Sequence, residues 1–180
     1  MNMRLFIAID FSHEIKAGLE QSSALLRQVC RKGSFTNREN FHLTLSFLGQ
    51  VPSARVNEIA ALMDSCTVPP IRIAIGHMGR FKRREGDILW RQIDADDNLF
   101  RLQSDLSAAL RDRGFSLEER DYKPHMTLAR RAVLKDGVKL ADLSAQMPDL
   151  SYTATEMVLM QSDQINGKRV YTPLYRTQLI

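Results

Sequence analysis

The chain spells one short strand twice. NFHLTLSFLG (residues 40–49) and KPHMTLAR (123–130) each set a histidine and a threonine two residues apart in an apolar run, in a chain with only four histidines. The order of elements around them repeats as well. RLFIAID (4–10) reads as a buried strand, being short, apolar and ended by an acid. Ser12 offers an N-cap for a helix through about Val29, with Ile15, Leu19, Leu26 and Val29 near helical spacing. NFHLTLSFLG follows as a strand, SARVNEIAALMDSC as a helix with Val56, Ile59, Ala60 and Met63 on one face, and IRIAIG (71–76) as a third strand.

From Asp87 the same order returns. DILWRQID (87–94) is a strand ending in an acid, and NLFRLQSDLSAALRDRG a helix stopped at Gly114, a C′ residue. KPHMTLAR is a strand, a short helix spans about 138–146, and YTATEMVLMQS (152–162) is a strand. Asp10 to His42 is 32 residues and Asp94 to His125 is 31. Two copies of β-α-β-α-β, over 4–76 and 87–162, read as an internal duplication. The expected fold is α+β and bilobal: two antiparallel sheets covered by helices, with a central cleft between the lobes. All of 1–180 forms one bilobal domain, and a further strand is expected near 168–174.

At 180 residues and 44% hydrophobic the chain can bury a sizeable core, and 26% charged residues argue against wholesale disorder. The net charge of +4 favours an anionic partner only mildly. Cys30 and Cys66 lie in helix-like segments without metal-site spacing, so they are expected to be reduced thiols. No run approaches the length of a membrane span and the N-terminus does not read as a signal peptide, so a soluble cytoplasmic protein is expected; it is expected to be a monomer with no membrane partner.

Strand side chains alternate between faces, so His42, Thr44 and Ser46 share one face, and His125, Thr127 and Ala129 share one in the second copy. The large apolar residues must face the helices, which leaves the two histidines looking at each other across the cleft. Histidine has an unperturbed pKa near 6.5, so one ring can be neutral while the other is charged. The neutral ring can remove a proton from a nucleophile and the charged one protonate a leaving oxygen. The threonine hydroxyls can donate to a bound oxyanion. Phosphodiester cleavage or transfer fits this set. Zinc usually needs three or four protein ligands, whereas the two motifs supply two and contain no carboxylate, so no metal is expected. The plainer reading is a pair of interior histidines satisfied by backbone carbonyls.

His13 and His77 are expected to be solvated. RFKRREGD (80–87) carries four cations about Phe81 and can be read as a nucleic-acid-steering hairpin or as an ordinary solvated tip. Trp90 is placed in the core rather than against a base. Arg169, Tyr171 and Arg176 could line the cleft.

The paired HLTL and HMTL, with RLFIAID at the start and RVYTPL near the end, resemble the two-histidine phosphoesterases. More narrowly, they are similar to the RNA 2′,3′-cyclic phosphodiesterases, historically named 2′-5′ RNA ligases. The likeness covers nearly the whole chain. It implies opening of a terminal 2′,3′-cyclic phosphate to a 2′-phosphate without metal or cofactor, with RNA ends or small cyclic or 2′-5′-linked nucleotides as substrates. On this likeness His42 is the general acid and His125 the base. Thr44 and Thr127 hold phosphate oxygens, and Arg130 adds positive charge. Strict alternation, however, puts Arg130 on the face opposite His125. A non-catalytic module that binds RNA ends in the same cleft is the alternative.

Overall fold

The computed structural model describes residues 1–180. Nine strands and four helices follow in the order β1 (Asn2–Asp10), α1 (His13–Val29), β2 (Cys30–Phe35), β3 (His42–Pro52), α2 (Val56–Ser65), β4 (Ile71–Phe81), β5 (Asp87–Ala95), α3 (Asp97–Asp112), β6 (His125–Leu134), α4 (Leu140–Ser144), β7 (Leu150–Ala154), β8 (Glu156–Ile165) and β9 (Lys168–Gln178). Local signals set several of these bounds. The Ser12 side chain accepts the Ile15 N–H and starts α1. Gly114, at φ +79°, takes the left-handed turn just beyond α3.

The strands form two antiparallel sheets, ordered β3-β1-β8-β9 and β2-β6-β5-β4-β7. This is the expected α+β class, with an exchange that the repeat order does not reveal. β4, from the first half, pairs with β5 in the second sheet. β8, from the second half, pairs with β1 in the first. The helices cross too: α1 packs on β2, β6 and β7, while α3 packs on α2 and β3. The first half therefore lends β2, β4 and α1 to the second sheet, and the second half lends β8 and α3 to the first. Buried Leu5, Ile7 and Ile9 of β1, Leu19 and Leu26 of α1, Leu99 and Leu106 of α3, and Met126 and Leu128 of β6 all belong to one apolar cluster.

Two sequence expectations change, and one strand carries no sequence signal. The segment 152–162 is not one strand: it breaks at Thr155, with β7 ending one sheet and β8 running inside the other. Cys30 opens a strand rather than lying in a helix, while Cys66 caps α2; both thiols are free. β2, CRKGSF, is an edge strand whose four central residues are exposed, so it carries no apolar alternation to mark it in the sequence.

Arg91 is 2% exposed and fastens the second sheet to its helix. Its guanidinium donates to the Ile75 and Gly76 carbonyls, beside an irregularity in β4, and to Ser22 Oγ of α1. A buried cation is tolerated there because each direction ends on an acceptor.

Candidate active site

The groove between the sheets is built by β3, at the edge of one, and β6, one strand in from the edge of the other. Both strands bend at the same place. Opposite β1, Ile7 pairs with Ser46 but Ala8 pairs with Thr44, which leaves Leu45 as an extra residue. Opposite β5, Leu89 pairs with Ala129 but Trp90 pairs with Thr127, which leaves Leu128 extra. Each bulge falls three residues after the motif histidine and reverses the alternation beyond it.

The bulges correct the expected faces. Ser46 (7% exposed) and Ala129 (0%) are buried rather than lining the groove. Phe47 turns out beside Phe6, with ring centroids 6.0 Å apart. In the second copy Arg130 becomes exposed, and its charge acts on His42. The groove face of β3 thus reads His42, Thr44, Phe47, and that of β6 reads His125, Thr127, Arg130. The conflict over Arg130 disappears, because alternation holds only as far as the bulge.

Both imidazoles are held the same way. His42 Nδ1 lies 2.7 Å from the Asn40 carbonyl and His125 Nδ1 lies 2.7 Å from the Lys123 carbonyl. A carbonyl only accepts, so each Nδ1 carries a hydrogen and each neutral ring keeps its Nε2 lone pair. His42 Nε2 meets Thr44 Oγ1 at 2.9 Å. His125 Nε2 has no protein partner.

Aromatic rings steady both histidines. Phe6 (4.8 Å) and Tyr171 (5.1 Å, edge-on) pack against His42. Phe81 (5.4 Å) and Trp90 (6.1 Å) pack against His125. Trp90 is therefore on the histidine face and half-buried, not in the core. The reason is that Gly79 lies opposite it and leaves room for the indole.

Burial lowers the His42 pKa most strongly. The Asn40 bond and the Asp10 carboxylate oppose that shift, while Lys16 and Arg130 add to it.

Tyr122 was not singled out from the sequence, yet it ties the two strands together: its hydroxyl donates to the Thr44 carbonyl at 2.9 Å. Burial pushes its phenol pKa up, so it remains a donor. Its only signal was a position three residues ahead of His125. Thr36, also unread, donates through Oγ1 to the Thr127 carbonyl at 2.9 Å.

Of the other candidates, Arg169 turns its guanidinium to Ser162 and Arg176 pairs with Glu156. His77 is exposed; so is His13, which contacts Arg38. No group of three or more His, Cys, Asp or Glu side chains is placed to hold a metal ion. No helix is long and apolar enough to cross a membrane.

A sequence model described as the 2′-5′ RNA ligase superfamily matches residues 15–166. The RNA 2′,3′-cyclic phosphodiesterase of Thermotoga maritima is 29% identical over 98% of this chain and 95% of its own. That of Methanocaldococcus jannaschii is 31% identical over 83% of this chain and 84% of its own. Among solved structures, Escherichia coli LigT complexed with 3′-AMP superposes with a TM-score of 0.80 at 26% identity, covering 99% of both chains.

Proposed function

The chain belongs to the 2′-5′ RNA ligase superfamily, and from that membership and the groove we propose that it hydrolyses 2′,3′-cyclic phosphate ends of RNA to 2′-phosphates. The observation that carries this reading is the matched setting of the two imidazoles. Each Nδ1 is fixed on a carbonyl two residues back, which leaves Nε2 as the atom that can exchange a proton in the groove, unpartnered on His125 and shared with Thr44 Oγ1 on His42.

His125 Nε2, with its open lone pair, takes a proton from water as the water oxygen bonds to phosphorus. The phosphorus–O3′ bond breaks, and the proton on His42 Nε2 passes to the departing oxygen. One proton enters the site and one leaves it, and the phosphate remains on O2′. His42 must arrive protonated, and burial works against that. A bound phosphate anion offsets this, since an opposite charge within about 4–6 Å favours the charged imidazole. Thr44 and Thr127 donate to the non-bridging oxygens, and the Arg130 fork suits the same oxygens. With a 5′-hydroxyl in place of the water, the same displacement forms a 2′-5′ bond, and in the reverse of that step the histidines exchange roles.

Turnover of an oligonucleotide bearing a 2′,3′-cyclic phosphate, in excess EDTA, tests the reading. A 2′-phosphate product is expected, with His42→Ala and His125→Ala each slower by about 10² to 10⁴. Either variant turning over at the parental rate would refute it. Binding that survives both substitutions, with no parental turnover, would favour a module that only recognises RNA ends.

A further inference from the structure

The two histidines occupy matched positions, but the residues opposite them in the ladder differ in charge. Asp10 is the cross-strand partner of His42, and Gln92 that of His125. Asp10 Oδ1 accepts the Phe11 N–H at 3.0 Å and faces Lys16 Nζ at 2.8 Å. The same ammonium donates to the Glu39 carbonyl at 3.2 Å. Glu39 immediately precedes Asn40, whose carbonyl fixes the His42 ring. One lysine on α1 thus joins the end of β1 to the turn that aims the imidazole.

The pair is shielded, with side-chain exposures of 11% for Lys16 and 24% for Asp10. Ion pairs removed from water interact more strongly than exposed ones. The second half has no counterpart: Gln92 gives its amide to Asp94 at 2.7 Å.

We propose that Asp10 and Lys16 are positioning residues, a shielded ion pair that holds the His42 ring and balances its charge, a device the His125 half lacks. The inference deepens the function proposed above and rests on it where turnover is concerned. The charged or titratable groups facing His42 are Asp10 from β1, Lys16 from α1, Arg130 from β6 and the Tyr171 phenol from β9. Arg38, in the turn itself, is directed at Glu20 and His13. Asp10 favours the protonated imidazole, while Lys16 and Arg130 disfavour it. Losing either member of the pair therefore moves His42 in opposite directions.

The test is an NMR titration of the His42 imidazole in the free protein, with pH profiles of turnover alongside. Asp10→Asn should lower the His42 midpoint and Lys16→Met raise it, each by roughly half a pH unit or more. Lys16→Arg should stay near the parent. The basic limb of the turnover profile should move the same way, because that limb marks loss of the acid's proton. Midpoints that move together, or not at all, in natively folded variants would overturn the proposal. Should Lys16→Met fail to fold, the isosteric Asp10→Asn decides alone, and an unmoved midpoint overturns it. A parent without turnover would refute the proposed activity, and the titration would still decide the role of the pair.

Discussion

The indole of Trp90 rests on the backbone of Gly79, so close that a Cβ there would stand 2.3 Å from the ring. Trp90 in turn lies 5.0 Å from Phe81 and 6.1 Å from His125. A missing side chain on β4 thus sets the wall that packs the second histidine. Gly79→Val must push the ring off its seat, since overpacking costs about 1–3 kcal/mol and forces rotamer changes. Turnover should fall roughly tenfold or more, since small misplacements of catalytic groups are costly. Far-UV circular dichroism should hold while Trp90 fluorescence changes. Unchanged turnover would show that His125 does not depend on this wall.

Arg130 reaches the groove face only through the bulge at Leu128. If its planar fork grips two phosphate oxygens, lysine cannot replace it fully. Arg130→Lys should cost roughly tenfold in kcat/KM and Arg130→Met more, with melting temperature little altered at so exposed a residue. Equal activity in Arg130→Lys and the parent would leave only a point charge at that position.

Protonation should weaken the fold in two separate windows. Burial lowers the His42 pKa in the native chain below its ordinary 6.5. The unfolded chain then binds more protons, so stability is full above about 6.5 and declines as pH falls toward the folded value. His42→Gln should flatten that decline in urea midpoints taken between about pH 7 and 5. The second window is more acidic. Hydrogen bonds from Tyr175 and Thr177 hold the Asp64 carboxyl below its usual range, tying α2 to β9. That contribution is present above the ordinary carboxylate pKa and is lost as pH drops through the folded one. A His42→Gln profile identical to the parent between pH 7 and 5 would remove the first window.

The β4–β5 hairpin tip and the end of β6 line a basic recess that includes Lys32, Arg80, Arg83, Arg84 and Lys135. Arg83 also lies 5.8 Å from the Phe81 ring, which adjoins His125. If the recess steers a nucleic-acid backbone, Arg83→Glu with Arg84→Glu should raise KM for a cyclic-phosphate oligonucleotide several-fold. The same change should reduce the salt dependence of KM and leave hydrolysis of a cyclic mononucleotide untouched. No change with either substrate would identify the tip as a solvated hairpin.

Much of the site was legible because its signals are local. His42 with Thr44 and His125 with Thr127 follow from two-residue periodicity, and Ser12 and Gly114 mark helix ends by hydrogen-bond and steric preferences of single residues. Ser46, Ala129 and Arg130 do not lie where strict alternation puts them, because a bulge is a property of a strand and its partner, written in neither alone. Tyr122 and Thr36 act on backbone carbonyls far along the chain, a contact that no spacing encodes.

The sequence by itself determined that the fold is duplicated α+β and that two His-x-Thr strands turn one polar face away from their apolar one. Periodicity states which face of an element is buried, and it does so residue by residue. The tertiary structure decided what each face is buried against. It sent β4 and α1 to the second sheet and β8 and α3 to the first. It also placed the bulges that bring Arg130 into the groove and set Asp10 against His42 but Gln92 against His125. Pairing energy is summed over whole edges and faces, so two similar halves can trade elements while every local pattern stays satisfied.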